Sequence, residues 1–367
     1  MLFALLPSWA RSALSTRTST ARGRRPRGRI GKIPPVTRSR RMAAPSFESF
    51  ELRPQPLRAS DFGVELPSPD QILDDGSPSG RRQHVLLETL AALEQASATA
   101  RYHELALRNL QRWAQQARSS PAGATAAGGA CAVLVLPGDW GEVTLELTRR
   151  YGTLFASLNM ANAYGPGGGY THGMVAQEEN MFRRTDCHFS LRREDIEPDD
   201  EIYVPSVTAL LNAQEGRVYL DVARPRVCIR GAEERERSDL GYRWLDDDEV
   251  FPFFELRSAA VDLRDGAPFS RAETRKRIAA QLDTLVEKGV RHAVLSAFGC
   301  GAFCNPADEV AAVYREELHK RATKFDVVAF GIFHAGYGPD NFSPFARAFD
   351  DWPSSTTTTT TTTTTPP

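Results

Sequence analysis

The C-terminal third of the chain repeats one pattern, a helical stretch followed by a short apolar run with few polar residues. Arg271–Lys288 reads as a helix and His292–Ala297 (HAVLSA) as a buried strand. Pro306–Ala322 reads as a helix with proline in its first turn and Asn305 as its expected N-cap, and Phe325–Phe333 (FDVVAFGIF) as a second buried strand. Strands alternating with helices imply an α/β domain around a largely parallel central sheet. Further strands are expected over Ala132–Leu136 (AVLVL), Thr153–Met160 (TLFASLNM), Arg217–Val222 and Arg226–Ile229. In such sheets ligands bind at the loops beyond the carboxyl ends of the strands.

Upstream, Gly80 to about Ala117 is helical by pattern. Val85, Leu86, Leu90 and Leu93 recur at helical spacing, and Leu105, Leu107, Leu110 and Trp113 follow in a second run. Ser119–Gly129 is a loop by composition. The expected organisation is a basic leader over 1–45, an N-terminal helical extension over 80–130, an α/β domain over 131–351 and a Thr/Pro tail over 352–367. The tail cannot bury a core and is expected to be disordered.

The leader holds ten Arg, one Lys and no acid up to Arg41. Its Arg- and Ser/Thr-rich, acid-free composition fits an organellar transit peptide, mitochondrial or plastid. The alternative is a disordered basic tail acting as a nuclear signal. Without the leader the balance is 34 basic against 46 acidic residues, a net of −12. An acidic body argues against sequence-specific nucleic-acid binding over a broad basic face. An anionic ligand would need local devices, such as backbone N–H groups and helix N-termini. Five cysteines, with no CxxC pair, imply a reducing compartment without a disulfide framework. Nothing suggests a zinc site or a cofactor, and no apolar run reaches about 18 residues, so no membrane span is expected.

The densest segment is Asn159–Arg184, NMANAYGPGGGYTHGMVAQEENMFRR. A strand runs into Gly165-Pro166-Gly167-Gly168-Gly169, where three glycines allow positive φ and close approach to a ligand. Taken alone, such a run is more often only a tight loop. It fits neither the dinucleotide fingerprint, since Tyr170 and His172 stand where glycine is needed, nor the P-loop. Gln177-Glu178-Glu179 then opens a helix. Adjacent helical residues point about 100° apart, so one glutamate can face the loop while the other orients a neighbouring hydroxyl. The helix N-terminus favours their ionised forms, whereas burial and mutual repulsion push one pKa up. The bland alternative is a solvated helix start with Glu179 paired to Arg183.

The run Asn159-Met160-Ala161-Asn162-Ala163, Pro166-Gly167-Gly168-Gly169 and Gln177-Glu178-Glu179 resembles the motif of microbial-type poly(ADP-ribose) glycohydrolases. Downstream, Ala297-Phe298-Gly299-Cys300-Gly301-Ala302-Phe303, with Asn305-Pro306 and Glu309-Val310-Ala311, resembles that branch's second ligand loop and following helix. The helix with Glu88-Thr89-Leu90 is similar to its N-terminal extension. The resemblance spans roughly Arg81 to Asp350. It implies a macrodomain-like three-layer α/β/α fold with a mixed, largely parallel sheet. It also implies hydrolysis of ribose–ribose O-glycosidic bonds of poly(ADP-ribose), free or on an ADP-ribosylated protein.

By the same resemblance, Glu179 is the catalytic glutamate and Glu178 its partner on a ribose hydroxyl. Gly167, Gly168 and Gly169 contact the diphosphate, which Gly299, Gly301 and Ala302 close from the opposite side. Phe303 presses on the terminal ribose, Asn162 hydrogen-bonds a ribose hydroxyl, and Gln177 joins the substrate contacts. The sequence departs from the family in Tyr203–Leu211, which keeps the Tyr, Pro and Val of a family strand but loses its Phe-Arg ending. It departs again in Arg230–Arg237 (RGAEERER) and at His334, where an acid is common. Cys300 reads as a packing residue, His172 as a solvated loop residue, and Phe333 as a core aromatic more readily than an adenine platform. Three alternatives stay open: a mono-ADP-ribosyl hydrolase, a non-catalytic ADP-ribose-binding macrodomain, and a nucleotide-dependent oxidoreductase.

Overall fold

The structure, a computed structural model, describes residues 56–72, 76–119, 131–336 and 338–353. The expected transit peptide, most of the Ser119–Gly129 loop and the threonine run from Ser354 lie outside these residues.

Seven strands form one sheet: β1 (Ala132–Pro137), β2 (Ala156–Met160), β3 (Tyr219–Leu220), β4 (Arg226–Cys228), β5 (Phe251–Ser258), β6 (His292–Leu295) and β7 (Val327–Ile332). The order is β1-β7-β6-β2-β5-β3, with β4 also pairing β5. Strands β1, β7, β6, β2 and β5 are mutually parallel, and β3 and β4 run antiparallel to β5. The expected mixed, largely parallel α/β sheet is therefore present.

Period-two alternation along β7 splits the core into two layers. Val327 and Ala329 pack with Leu134, Leu136 and Val294 beneath Val143 and Leu147 of helix α3 (Trp140–Tyr151). Val328, Phe330 and Ile332 face Leu282, Leu285, Val310, Tyr314 and Phe345. These come from α6 (Arg271–Glu287), α7 (Ala307–Lys320) and α8 (Phe342–Phe349). Helices on both faces complete the three-layer architecture.

Helices α1 (Pro78–Ser97) and α2 (Arg101–Ser119) form the N-terminal extension. Pro78 occupies the first turn of α1, and Ser77 caps it by accepting from Gly80 N. Leu86, Leu90 and Leu93 bury one face, and Thr89 Oγ1 donates to the Arg183 carbonyl at 2.8 Å. Arg82 reaches Glu233 at 2.7 Å, both buried. Helix α2 lies on the end of α3, where Gly152 (φ 60°) approaches so closely that a Cβ would stand 2.4 Å from Ala114 Cα.

Three local expectations are corrected. Tyr203–Leu211 does not hold a family strand, because Pro205 opens a short helix, α5 (Pro205–Leu211), instead. Asn305 does not cap α7. Pro306 holds the N-cap position, and the buried Asn305 amide donates to the carbonyls of Val261, Gly299 and Phe303. The strand at Arg217–Val222 shrinks to Tyr219–Leu220.

Candidate active site

The carboxyl ends of β1, β2, β6 and β7 open into one cleft of about 570 Å³, a size suited to a small ligand. Its walls are the β1 exit (Asp139, Trp140), Asn162 beyond β2, Gly169, the start of helix α4 (Gln177–Arg184), the Gly299–Cys304 loop and the β7 exit from Gly331 to Ala335. Strand order reverses direction across this edge, so the exit loops diverge and leave a crevice.

The glycine loop and α4 are fitted to each other. Gly167 and Gly168 have φ of 71° and 62°, which favour glycine. Glu178 Oε2 accepts from Asn162 N at 2.7 Å, and Glu179 Oε1 accepts from Gly169 N at 3.0 Å. Each carboxylate thus has one oxygen tied to the main chain of the loop. Glu178 Oε1 and Glu179 Oε2 are buried with no hydrogen-bond partner. Buried polar atoms are ordinarily paired, so two free carboxylate oxygens on one cleft wall are placed for a ligand. Burial above all, and then the neighbouring Glu179 charge, push the Glu178 carboxyl well above the usual range.

Other expected residues differ in placement. Gln177 edges the cleft, but its amide is spent on β2, accepting from Met160 N at 2.9 Å and donating to the Leu158 carbonyl at 2.8 Å. It ties the start of α4 to β2. Gly167 and Gly168 do not line the cleft: Gly167 packs against Tyr170 and Phe182, and Gly168 against the two carboxylates. The glycine run therefore cradles the glutamates. Asn162 lines the cleft, with Oδ1 accepting from Tyr164 N and Gly165 N. Arg183 does not pair with Glu179; it is buried and donates to Tyr242 Oη and the Met174 carbonyl.

Gly299, Gly301, Ala302 and Phe303 all line the opposite wall. Gly299 (φ 74°) packs so tightly that a Cβ would stand 2.7 Å from Asn305 Nδ2, which braces the loop from behind. Among the described residues the N–H groups of Gly299, Gly301 and Ala302 donate to no acceptor. Such a turn with free N–H groups suits an anion. Cys300 is buried and its thiol is pushed up to about 12 by desolvation, so it packs rather than attacks. His172 is exposed, as expected.

The structure adds residues the sequence did not single out. Phe333 is 49% exposed in the cleft, which overturns its core reading, and the Arg235 guanidinium stands 5.6 Å from its ring centre. Arg264 lines the other end, 5.0 Å from the Phe303 ring centre. Asp139 and Asn180 both accept from Arg184, tying the β1 exit to α4. Behind the glycine loop, a Cβ on Gly173 (φ 68°) would stand 2.2 Å from the Ser79 carbonyl oxygen of α1. Both arginines come from irregular segments, where no periodicity marks which way a side chain points.

Among the described residues there is no cluster of metal-ligating side chains and no helix long and apolar enough to cross a membrane. Residues 78–209 match the family of the microbial-type PARG catalytic domain. No curated protein matches the chain. Among solved structures, the chain resembles the poly(ADP-ribose) glycohydrolase of Thermomonospora curvata at 24% identity, covering 73% of this chain and 99% of that one, with a TM-score of 0.51. The same enzyme bound to the inhibitor ADP-HPD matches at 22% identity with equal coverage and a TM-score of 0.49. The Deinococcus radiodurans glycohydrolase with ADP-ribose matches at 20% identity, covering 68% of this chain and 91% of that one, with a TM-score of 0.43. The T. curvata likeness agrees with the macrodomain-like fold.

Proposed function

We propose that this chain, which carries the catalytic domain of the microbial-type poly(ADP-ribose) glycohydrolases, hydrolyses the ribose–ribose O-glycosidic bonds of poly(ADP-ribose) with Glu179 as general acid and base. The observation that carries the site assignment is the glutamate pair lining the cleft, each tied by one oxygen to the glycine loop and each with its other oxygen unpaired.

In this reading the diphosphate rests on the N–H groups of Gly299, Gly301 and Ala302. Phe303 packs on the terminal ribose, and Asn162 edges it. Glu178, whose carboxyl burial pushes up, holds a ribose hydroxyl through Oε1. Glu179 donates its proton to the leaving oxygen as the bond from the anomeric carbon to that oxygen breaks. The resulting oxocarbenium-like cation lies close to the diphosphate, whose negative charge stabilises it. Glu179, now ionised, takes a proton from water as the water oxygen bonds to the anomeric carbon. Free ADP-ribose leaves, and Glu179 is protonated again. General acid–base assistance of this kind contributes about 10²–10⁴-fold. Glycosidases commonly use two carboxylates on opposite faces of the sugar. Here the two are adjacent, so the same residue serves both half-steps.

The test is turnover of labelled poly(ADP-ribose) by the wild type and by Glu179→Gln, alongside calorimetric titration with ADP-ribose. Binding kept and cleavage lost supports the assignment; undiminished cleavage removes Glu179 from the mechanism. A wild type that binds ADP-ribose but never shortens chains is a reader instead.

A further inference from the structure

A polymer substrate extends beyond the unit held in the cleft. The oxygen released at Glu179 belongs to the adenosine ribose of the neighbouring unit, which carries its own diphosphate across that one ribose ring. The body of the protein is acidic, so polyanion recognition needs a cation placed locally.

Arg264 is such a cation. It lines the cleft, stacks on the ring of Phe303, and lies near enough to Glu179 for the two charges to interact. Its backbone is fastened to the ligand loop: Leu263 N donates to the Phe303 carbonyl at 3.1 Å, and Asn305 Nδ2 donates to the Val261 carbonyl at 2.7 Å. Asp262 takes one edge of the guanidinium through Nε and Nη2. Among the described residues Nη1 donates to no acceptor. A guanidinium held by a carboxylate on one edge and an aromatic ring on its face presents its remaining N–H groups in a fixed direction, the arrangement arginine uses for phosphates.

We propose that Arg264 binds the diphosphate of the ADP-ribose unit on the leaving side of the scissile bond, and so makes the enzyme prefer a chain to a single unit. This rests on the glycohydrolase reading above. Lysine at the position keeps the charge, while glutamine removes it.

The experiment compares wild type, Arg264→Gln and Arg264→Lys for kcat/KM on poly(ADP-ribose) across a salt series, and for the Kd of free ADP-ribose. The expected result for Arg264→Gln is a fall of about fivefold in polymer kcat/KM at low salt, the ratio that about 1 kcal/mol represents. The ADP-ribose Kd should shift less than the polymer value, and the salt dependence should be shallower, as loss of a phosphate contact predicts. Arg264→Lys should recover most of the loss. Parallel losses in ADP-ribose affinity and polymer turnover would overturn the proposal, because Arg264 would then serve only the unit in the cleft. Unchanged polymer kinetics would overturn it equally. A wild type that cannot shorten chains at all defeats the glycohydrolase reading, and that outcome is visible before any variant is compared.

Discussion

Gly168 and Glu179 occupy adjoining space so tightly that a methyl on the glycine would stand 2.5 Å from Glu179 Oε1 and 3.1 Å from Glu178 Oε2. The loop conformation and the carboxylate positions are therefore one geometric fact. Gly168→Ala is expected to displace Glu179, and the positive φ of 62° adds a backbone cost of about 1–2 kcal/mol. Polymer turnover should fall at least tenfold, since misplacement by about 1 Å can cost 10²-fold. Thermal unfolding and a chain-cleavage assay on the same preparation check this. Full activity in a folded variant contradicts the fit.

Glu179→Gln removes the exchangeable proton and little else. Turnover should drop by about 10²–10⁴-fold. The Gly169 N–H still finds the amide oxygen, so the ADP-ribose Kd should move little. Kinetics and calorimetry separate the two effects.

Asn305 holds the ligand loop by three bonds from one amide nitrogen, to Val261, Gly299 and Phe303. Asn305→Ala leaves those carbonyls with fewer donors in a buried place. The expected cost is about 1–3 kcal/mol of stability. The ADP-ribose Kd should rise with it, because the loop N–H groups lose their bracing. Denaturant melts and ligand titration measure both.

His292 is half-buried against Phe155 and Tyr151, and desolvation, only partly offset by Asp326, lowers its pKa from 6.5 to about 4. Between these values the unfolded chain binds a proton that the folded chain refuses. The stabilisation is thus complete above pH 6.5 and is lost as pH falls toward 4. The loss attributable to this ring is of the order of 2–3 kcal/mol. His292→Phe should flatten the dependence of thermal stability on pH across that window. A melting series from pH 7 to 4 that is equally steep in the variant assigns the acid sensitivity elsewhere.

Arg82 and Glu233 form a buried ion pair between α1 and the loop after β4, and Tyr242 Oη also donates to Glu233. Arg82→Met leaves the Glu233 carboxylate with only the Tyr242 hydroxyl and the Arg235 guanidinium at 3.5 Å, at a cost of up to about 3–5 kcal/mol. Arg82→Met with Glu233→Gln should regain part of the loss. Equal destabilisation in single and double variants would mean that the charge itself is not the cause.

The parallel strands β6 and β7 were legible because they are short, apolar and separated by a strong helix pattern. Strand β5 was not, although every residue of Phe251–Ser258 is buried. Its sequence, FPFFELRS, carries proline, glutamate and arginine. Arg257 and Glu255 pair within the strand, and tertiary contacts from Asn159, Arg226, Tyr203 and Ser190 complete the polar cluster that makes those charges tolerable inside. Helix α3 escaped notice because Val143, Thr144 and Thr148 dilute its helical signal, even though Asp139 caps it. The glutamate pair could be read from contiguous residues. The cleft roles of Phe333, Arg235 and Arg264 depend on which loops meet, and that information is not local. That the Gln177 amide also bonds to β2 depends on where α4 meets the sheet, and contiguous residues do not reveal it.

The close approach of Gly173 to the Ser79 carbonyl makes the extension inseparable from the chemistry. With α1 absent, the turn that delivers the glutamates would lose one of its supports, with the Arg183 bond to the Met174 carbonyl and Tyr170 on His188 still behind it, and the α/β layers would keep their sheet while that strip loosened. A minimal competent fragment must therefore begin upstream of Ser77, and trimming the chain to its three layers would yield a scaffold without a catalyst.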